Sequence, residues 1–355
     1  MNKVLKFFLD NKEKRETIVN KDIRVYGWEF EYDYHMTGSL TKYLFEDFEV
    51  IENIAPITND NRDGRVKPNY YITVHDTGDT RDYHNAGFWS NVVKVQEWEQ
   101  GHYSASFQYV TGNDGIFHNI PDNEIGYHAG DSTYYDYTLY DTLVTGTNNN
   151  PKLTISEDGY YEVDGKKSVL LAPRIHREKN GEVVLDRLPK TSDINDQGVL
   201  CKLIDGKYFI GETYYSPGYG LISNRGGNNN SIGIESCINL GSDIYLTWQK
   251  TAKLVAHLLK ENFLEMSDIK QHHYFSGKNC PQTMRMNGLW EHFLSLVSFE
   301  RQILDFLDEG YIIRLECDDP NVDSLGRIKK LTDKTIKYKI ITIYNGEKEE
   351  LELEL

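Results

Sequence analysis

No run in this 355-residue chain is apolar for long enough to cross a membrane, since about 20 consecutive apolar residues are needed to span the hydrocarbon core. The most apolar part of the N-terminus, Val4 to Leu9, is interrupted by Lys6 and closed by Asp10. That is too short for the apolar centre of a secretion signal. Cysteine is scarce. Cys201, Cys237, Cys280 and Cys317 include no CxxC pair, so neither a disulfide framework nor a four-thiolate zinc knot is indicated. Positive charge is short as well: 39 Lys and Arg stand against 55 Asp and Glu, a net charge of −16. Long-range repulsion therefore opposes binding to a phosphate backbone, and nucleic acid is a poor partner.

What is present reads as globular. Hydrophobic residues make up 39% and charged residues 26%, ordinary values for a folded protein. The length fits one large domain with embellishments, or two to three modest ones. Residues 1–66 form an N-terminal extension with a strand-like piece, Ile23 to Glu31, and a polar linker, Thr58 to Lys67. Tyr70 to His75 is dense in β-branched and aromatic residues and predicts a buried strand with His75 at its end. Asn85 to Trp98 has near-helical apolar spacing and is followed by an alternating strand, Ala105 to Val110. Asn113-Asp114-Gly115 predicts a hairpin turn leading into Ile116 to Ile120.

Residues 132–230 differ in texture. Asp158-Gly159, Asp164-Gly165, Asn180-Gly181 and Asp205-Gly206 recur between short apolar runs, the signature of a β-rich insertion. Gly218 to Asn230 reads as a return loop. Ser231 to Cys237 predicts a central strand with Glu235 on the face opposite Ile232 and Ile234. Thr247 is the expected N-cap of a helix from Trp248 to Phe263, Asp268 to His272 a short strand, and Pro281 the first residue of a helix reaching about Val297. Residues 299–355 predict a small all-β module. The fold class expected is α/β, a mixed central β-sheet flanked by helices.

His75 supplies one imidazole at a strand end, and the loop Gln271 to Pro281 offers a second imidazole together with the Cys280 thiol. Two His and one Cys leave tetrahedral zinc a fourth position, the geometry of a catalytic site. Taken singly, each has a plainer explanation, a satisfied strand-end histidine and a small buried thiol. Glu235 in an apolar strand is harder to dismiss, because a buried carboxylate is costly without a partner or a task.

The combination resembles the type-2 N-acetylmuramoyl-L-alanine amidase family, which includes phage endolysins, autolysins and peptidoglycan recognition proteins. Tyr70 to Gly78, Ser106 to Asp131, Ser231 to Cys237 and His272 to Pro281 match its blocks in order. The spacing of eight from His272 to Cys280, with Lys278 two before the cysteine, is the most specific match and selects His272 over His273. The resemblance implies Zn²⁺ held by His75, His272 and Cys280, catalytic roles for Glu235 and Lys278, and substrate contacts from Asp76, Thr77 and His128. It places the amidase domain in residues 67–131 and 231–298. It also implies bacterial peptidoglycan as partner, cleavage of the lactyl-L-alanine amide, and action at the cell wall after lysin-type release or non-classical export. No oligomeric state follows from it.

Two features depart from the pattern. Phe107 stands where some relatives carry tyrosine, and the 132–230 insertion is far longer than the matching loop. The C-terminal module weakly resembles Ig-like domains of surface proteins. Two other readings stay open: a non-catalytic peptidoglycan-binding module, and a metal-free hydrolase pairing Cys280 with His272.

Overall fold

The computed structural model describes residues 1–62, 64–130, 139–149, 151–172, 174–179, 182–191, 201–211 and 226–355. Asp131, the Asn180-Gly181 turn and residues 218–225 of the return loop lie outside them.

The chain opens with helix α1 (Lys3–Asp10), capped by the Asn2 side chain, and the antiparallel pair β1 (Lys21–Val25) and β2 (Tyr32–Met36). The expected strand from Ile23 to Glu31 thus stops at Val25, and the chain turns before Tyr32. A short strand, β3 (Ile51–Glu52), precedes β4 (Tyr71–Asp76) and helix α2 (Ala86–Val95), which Asn85 caps through Phe88 N–H. The hairpin β5 (Glu97–Trp98) and β6 (Gly101–His102) leads to a second hairpin, β7 (Tyr109–Gly112) and β8 (Gly115–His118), turning at Asn113-Asp114.

The insertion is β-rich, as expected. It comprises β9 (Leu139–Thr145), β10 (Leu153–Ile155), β11 (Tyr160–Val163), β12 (Lys166–Leu171), β13 (Ile175–Lys179), β14 (Glu182–Arg187), β15 (Cys201–Ile204) and β16 (Lys207–Gly211). Two three-stranded sheets, β10-β11-β12 and β15-β16-β9, bury Val144, Tyr161, Val163, Tyr208 and Ile210 in small apolar clusters of their own.

The chain then returns as β17 (Ser231–Ser236), followed by helix α3 (Ile244–Glu261) and β18 (Ile269–Gln271). These complete a six-stranded mixed sheet in the order β18-β4-β17-β7-β8-β3. Strands β18, β4, β17 and β7 run parallel, and β8 runs against β7. Helix α3 starts about one turn before the expected cap. Asp243 accepts from Leu246 N–H, whereas the buried Thr247 hydroxyl accepts from the Asn113 side chain.

Two short helices follow, α4 (His272–Ser276) and α5 (Gln282–Met286), then the long α6 (Trp290–Asp308). The single helix expected from Pro281 to Val297 is therefore two. The chain breaks at Asn287-Gly288, where Gly288 has φ +66°. Beyond Val297 the helix continues because Phe299, Ile303 and Phe306 extend its apolar stripe.

Strand alternation divides the sheet's residues between two environments. Ile72, Val74, Ile232, Ile234 and Tyr109 pack on α3 and α6, in the largest core, together with Ile23, Val25 and Met36 of the N-terminal hairpin. On the other face α2 covers β7, burying Trp89, Val92 and Val93 against Phe107 and Val110. His75 and Glu235 belong to this second face, over β4 and β17.

The C-terminal module is β19 (Ile312–Glu316), β20 (Lys337–Tyr344) and β21 (Glu347–Glu354), one antiparallel meander. It packs against α1 and α6 rather than against a second sheet, so the two-sheet sandwich of an Ig domain is not formed. The Arg15 guanidinium binds the Thr332 and Leu355 carbonyls, and Arg327 pairs with Asp243 at the start of α3.

A candidate metal centre at the strand ends

Parallel register brings the site together. His75 on β4 is the direct partner of Glu235 on β17, and Gln271 at the end of β18 pairs with Val74. His272, the next residue, therefore arrives beside His75. Helix α4 closes at Gly277, whose φ of +75° lets the chain reverse. His273 N–H then bonds the Cys280 carbonyl at 3.1 Å, which returns the thiol to the two imidazoles.

His75, His272 and Cys280 are all buried, and one donor atom from each lies within 4.8 Å of the others. His75 Nδ1 is 3.1 Å from His272 Nδ1 and 3.6 Å from Cys280 Sγ. Donors bound to tetrahedral zinc at its usual bond lengths lie about 3.3 to 3.7 Å apart, and the two separations from His75 lie close to that range. Burial first, then neighbouring cationic groups, hold His75 and His272 well below the usual imidazole range, so both are neutral donors. Burial pushes the Cys280 thiol up. A cation is what would stabilise its thiolate. His273, half-buried, is not part of the group.

Glu235 stands beside this trio. Its Oε1 is 3.8 Å from His75 Nδ1, and its buried Oε2 has no hydrogen-bond partner. Burial pushes the acid up to about 8, and the opposing pull comes from Lys278. Lys278 is exposed, and its charge also acts on His75 and Cys280.

The three residues expected to touch substrate are placed differently. His128 Nδ1 lies 3.0 Å from His75 Nε2. With His75 Nδ1 turned to the donor group, its Nε2–H donates to His128 and fixes the ring. The backbone N–H groups of His128 and Ala129 both bond Asn228 Oδ1, and burial lowers the His128 pKa to about 3. Its ring covers Gly233, where a Cβ would come within 2.6 Å. Asp76 is buried and accepts from Thr283 N–H at 2.7 Å. Thr77 N–H bonds the Ser236 carbonyl, tying β4 to β17 just beyond the site.

Two residues escaped the sequence reading. Tyr103 lies close enough to Glu235 for that charge to add to the effect of burial in raising its phenol. Trp28, from the N-terminal hairpin, binds the Thr77 carbonyl through its indole N–H. Neither belongs to a block whose spacing signals chemistry. Phe107, by contrast, is buried under α2.

A mixed sheet that gathers two imidazoles, a thiol and a carboxyl at its parallel strand ends defines an α/β protein with three converging donors that could hold a metal ion. Residues 65–283 match the family described as N-acetylmuramoyl-L-alanine amidase, and the chain belongs to that family. It is 22% identical over 247 residues to the N-acetylmuramoyl-L-alanine amidase CwlH of Bacillus subtilis (strain 168), covering 70% of this chain and 60% of CwlH. It is 33% identical over 70 residues to XlyA of the same organism, covering 20% of this chain and 23% of XlyA. The chain thus spans 60% or less of the length of these relatives. Among solved structures, the catalytic domain of XlyA aligns at 18% identity and a TM-score of 0.40, covering 70% of this chain and 99% of that one. A mutant endolysin from Bacillus subtilis aligns at 18% identity and a TM-score of 0.41, covering 71% and 99%.

Proposed function

We propose that this chain is a zinc-dependent N-acetylmuramoyl-L-alanine amidase acting on the bacterial cell wall. The catalytic region is residues 67–131 and 231–298, with 132–230 inserted in it. The observation that carries this reading is the convergence of His75, His272 and Cys280, with the Glu235 carboxyl 3.8 Å from one of them. Family membership supports the same activity.

Zn²⁺, when bound, supplies Lewis acidity to an amide carbonyl and lowers the pKa of water. The protein's own groups do the rest. Glu235 takes the proton of the attacking water and delivers it to the departing amine of L-alanine. Lys278 supplies positive charge toward the developing oxyanion. His128 holds the His75 ring in the orientation that presents Nδ1.

The non-catalytic reading is less well supported, because the cysteine donor stands in place beside both imidazoles. Mass spectrometry of digested peptidoglycan tests the proposal. New free amino groups on L-alanine are expected, and cuts confined to glycosidic or other peptide bonds would overturn it.

A further inference from the structure

We propose that the N-terminal segment Tyr26–Trp28 forms the sugar-binding rim of the cleft, with the exposed indole of Trp28 as a platform for an N-acetylhexosamine ring of the glycan strand. The inference rests on the amidase reading for the identity of the glycan, but its test does not depend on catalysis.

The segment lies outside the part of the chain that matches the family. It nevertheless bridges the two stretches that carry the metal donors. On one side, Asn287 exchanges hydrogen bonds with Arg24, and Tyr26 N–H donates to Thr283 Oγ1, three residues past Cys280. On the other side, Trp28 N–H donates to the Gly78 carbonyl at 2.8 Å and its indole N–H to the Thr77 carbonyl at 3.1 Å, three and two residues past His75. Gly78 is required there, because it has φ +66° and a Cβ would meet the indole at 2.3 Å.

Trp28 is 54% exposed although it is held on several sides. Its ring leans on Trp98 at 5.7 Å and lies near-parallel to Trp89 at 6.3 Å. A rigid aromatic surface turned to water beside a hydrolytic site has a chemical use: the apolar C–H face of a pyranose stacks on it. Such rings also need polar partners for hydroxyl and acetamido groups. Glu29 and Gln100 stand next to each other at 3.5 Å, and Arg81, whose guanidinium is held by Asp79 and Glu99, lies 3.8 Å from Glu29. Aromatic platform and polar fringe together fit a sugar better than the charged stem peptide.

Calorimetric titration of the full chain with a peptide-free GlcNAc-MurNAc tetrasaccharide tests this. Wild type should bind, Trp28→Ala should bind about tenfold more weakly, and Trp28→Phe should fall between, as expected for loss of one stacked ring. On peptidoglycan, Trp28→Ala should raise KM and leave kcat nearly unchanged. Should Trp28→Ala fail to fold, the Trp28 indole N–H resonance in ¹⁵N-labelled wild type must still shift with added tetrasaccharide. Absence of sugar binding in wild type, equal affinity in Trp28→Ala, or loss of affinity for the isolated stem peptide instead would overturn the inference. Sugar binding through Trp28 without amide cleavage would sink the amidase reading and leave the rim intact.

Discussion

His75 and Glu235 face each other across adjacent parallel strands as register partners, and the carboxyl oxygen Oε1 lies 3.8 Å from Nδ1. This pairing sets the carboxyl beside one of the three candidate metal donors without any loop having to close. Replacing Glu235 by Gln keeps the shape and removes the base of the proposed mechanism. Because burial already favours the neutral acid in the protein alone, the neutral amide should not destabilise the fold. Zinc content should stay at wild-type level while turnover on peptidoglycan falls by about 10²- to 10⁴-fold. Metal analysis after dialysis and a cleavage assay check both halves. Full activity in Glu235→Gln would remove Glu235 from the mechanism.

In the proposed mechanism His128 acts through His75, so its loss should appear first in metal affinity. Outer partners of ligating imidazoles typically contribute about 10- to 100-fold to metal binding. His128→Ala should weaken zinc by that factor in a competition titration with a chromogenic chelator, and His128→Asn, which can still accept a hydrogen bond, should recover part of it. Unchanged affinity in His128→Ala would make the 3.0 Å contact incidental.

Much of this centre was legible before any coordinates. Ile72 and Val74, with Ile232 and Ile234, place His75 and Glu235 on the face opposite the main core by alternation alone. The spacing within His272 to Cys280 selected the histidine that lies beside His75 and Cys280. The contact of His128 with His75 was not legible, because it depends on a ring packing over Gly233 from a loop about a hundred residues earlier. The one local trace is a glycine inside a β-branched strand, which marks a close approach. Trp28 was hidden for a similar reason: hydrogen bonds to Thr77 and Gly78 place it, and no periodicity records them. The misplaced cap of α3 came from burial. Thr247 is a good cap by type, yet Asn113 claims its hydroxyl, so Asp243 takes the cap position.

Lys67 gives a pH dependence of definite sign. It is buried, with Nζ bonded to Asn69 Oδ1 and the Asp122 carbonyl, and burial lowers its pKa to about 7. Below pH 7 both folded and unfolded states carry the proton, so the cost of burying the charge is constant. Between pH 7 and the ordinary lysine value near 10.4 only the unfolded chain holds it, so stability rises with pH. Relative to Lys67→Met, wild type should gain up to about 1.4 kcal/mol per pH unit from pH 7 to 9. Urea melts at constant ionic strength measure this, and parallel profiles for the two proteins would rule it out.

Glu300 on α6 and Lys253 on α3 form a buried ion pair at 2.9 Å, and the carboxylate also accepts from Leu44 N–H at 2.8 Å. Lys253 lies over the Tyr43 ring, 4.1 Å from its centre. Two helices and the N-terminal segment therefore share one charge arrangement. Removing a single partner strands the other charge away from water, which costs about 3–5 kcal/mol. Replacing both with apolar residues of similar size removes the two desolvation costs together. Glu300→Ala should lower the unfolding free energy by about 3–5 kcal/mol, and the double variant Glu300→Leu with Lys253→Met should recover most of it. Denaturant melts of wild type and the two variants measure both changes. If the double variant is as unstable as Glu300→Ala, the stranded charge is not the cause, because both variants also leave the buried Leu44 N–H without its acceptor.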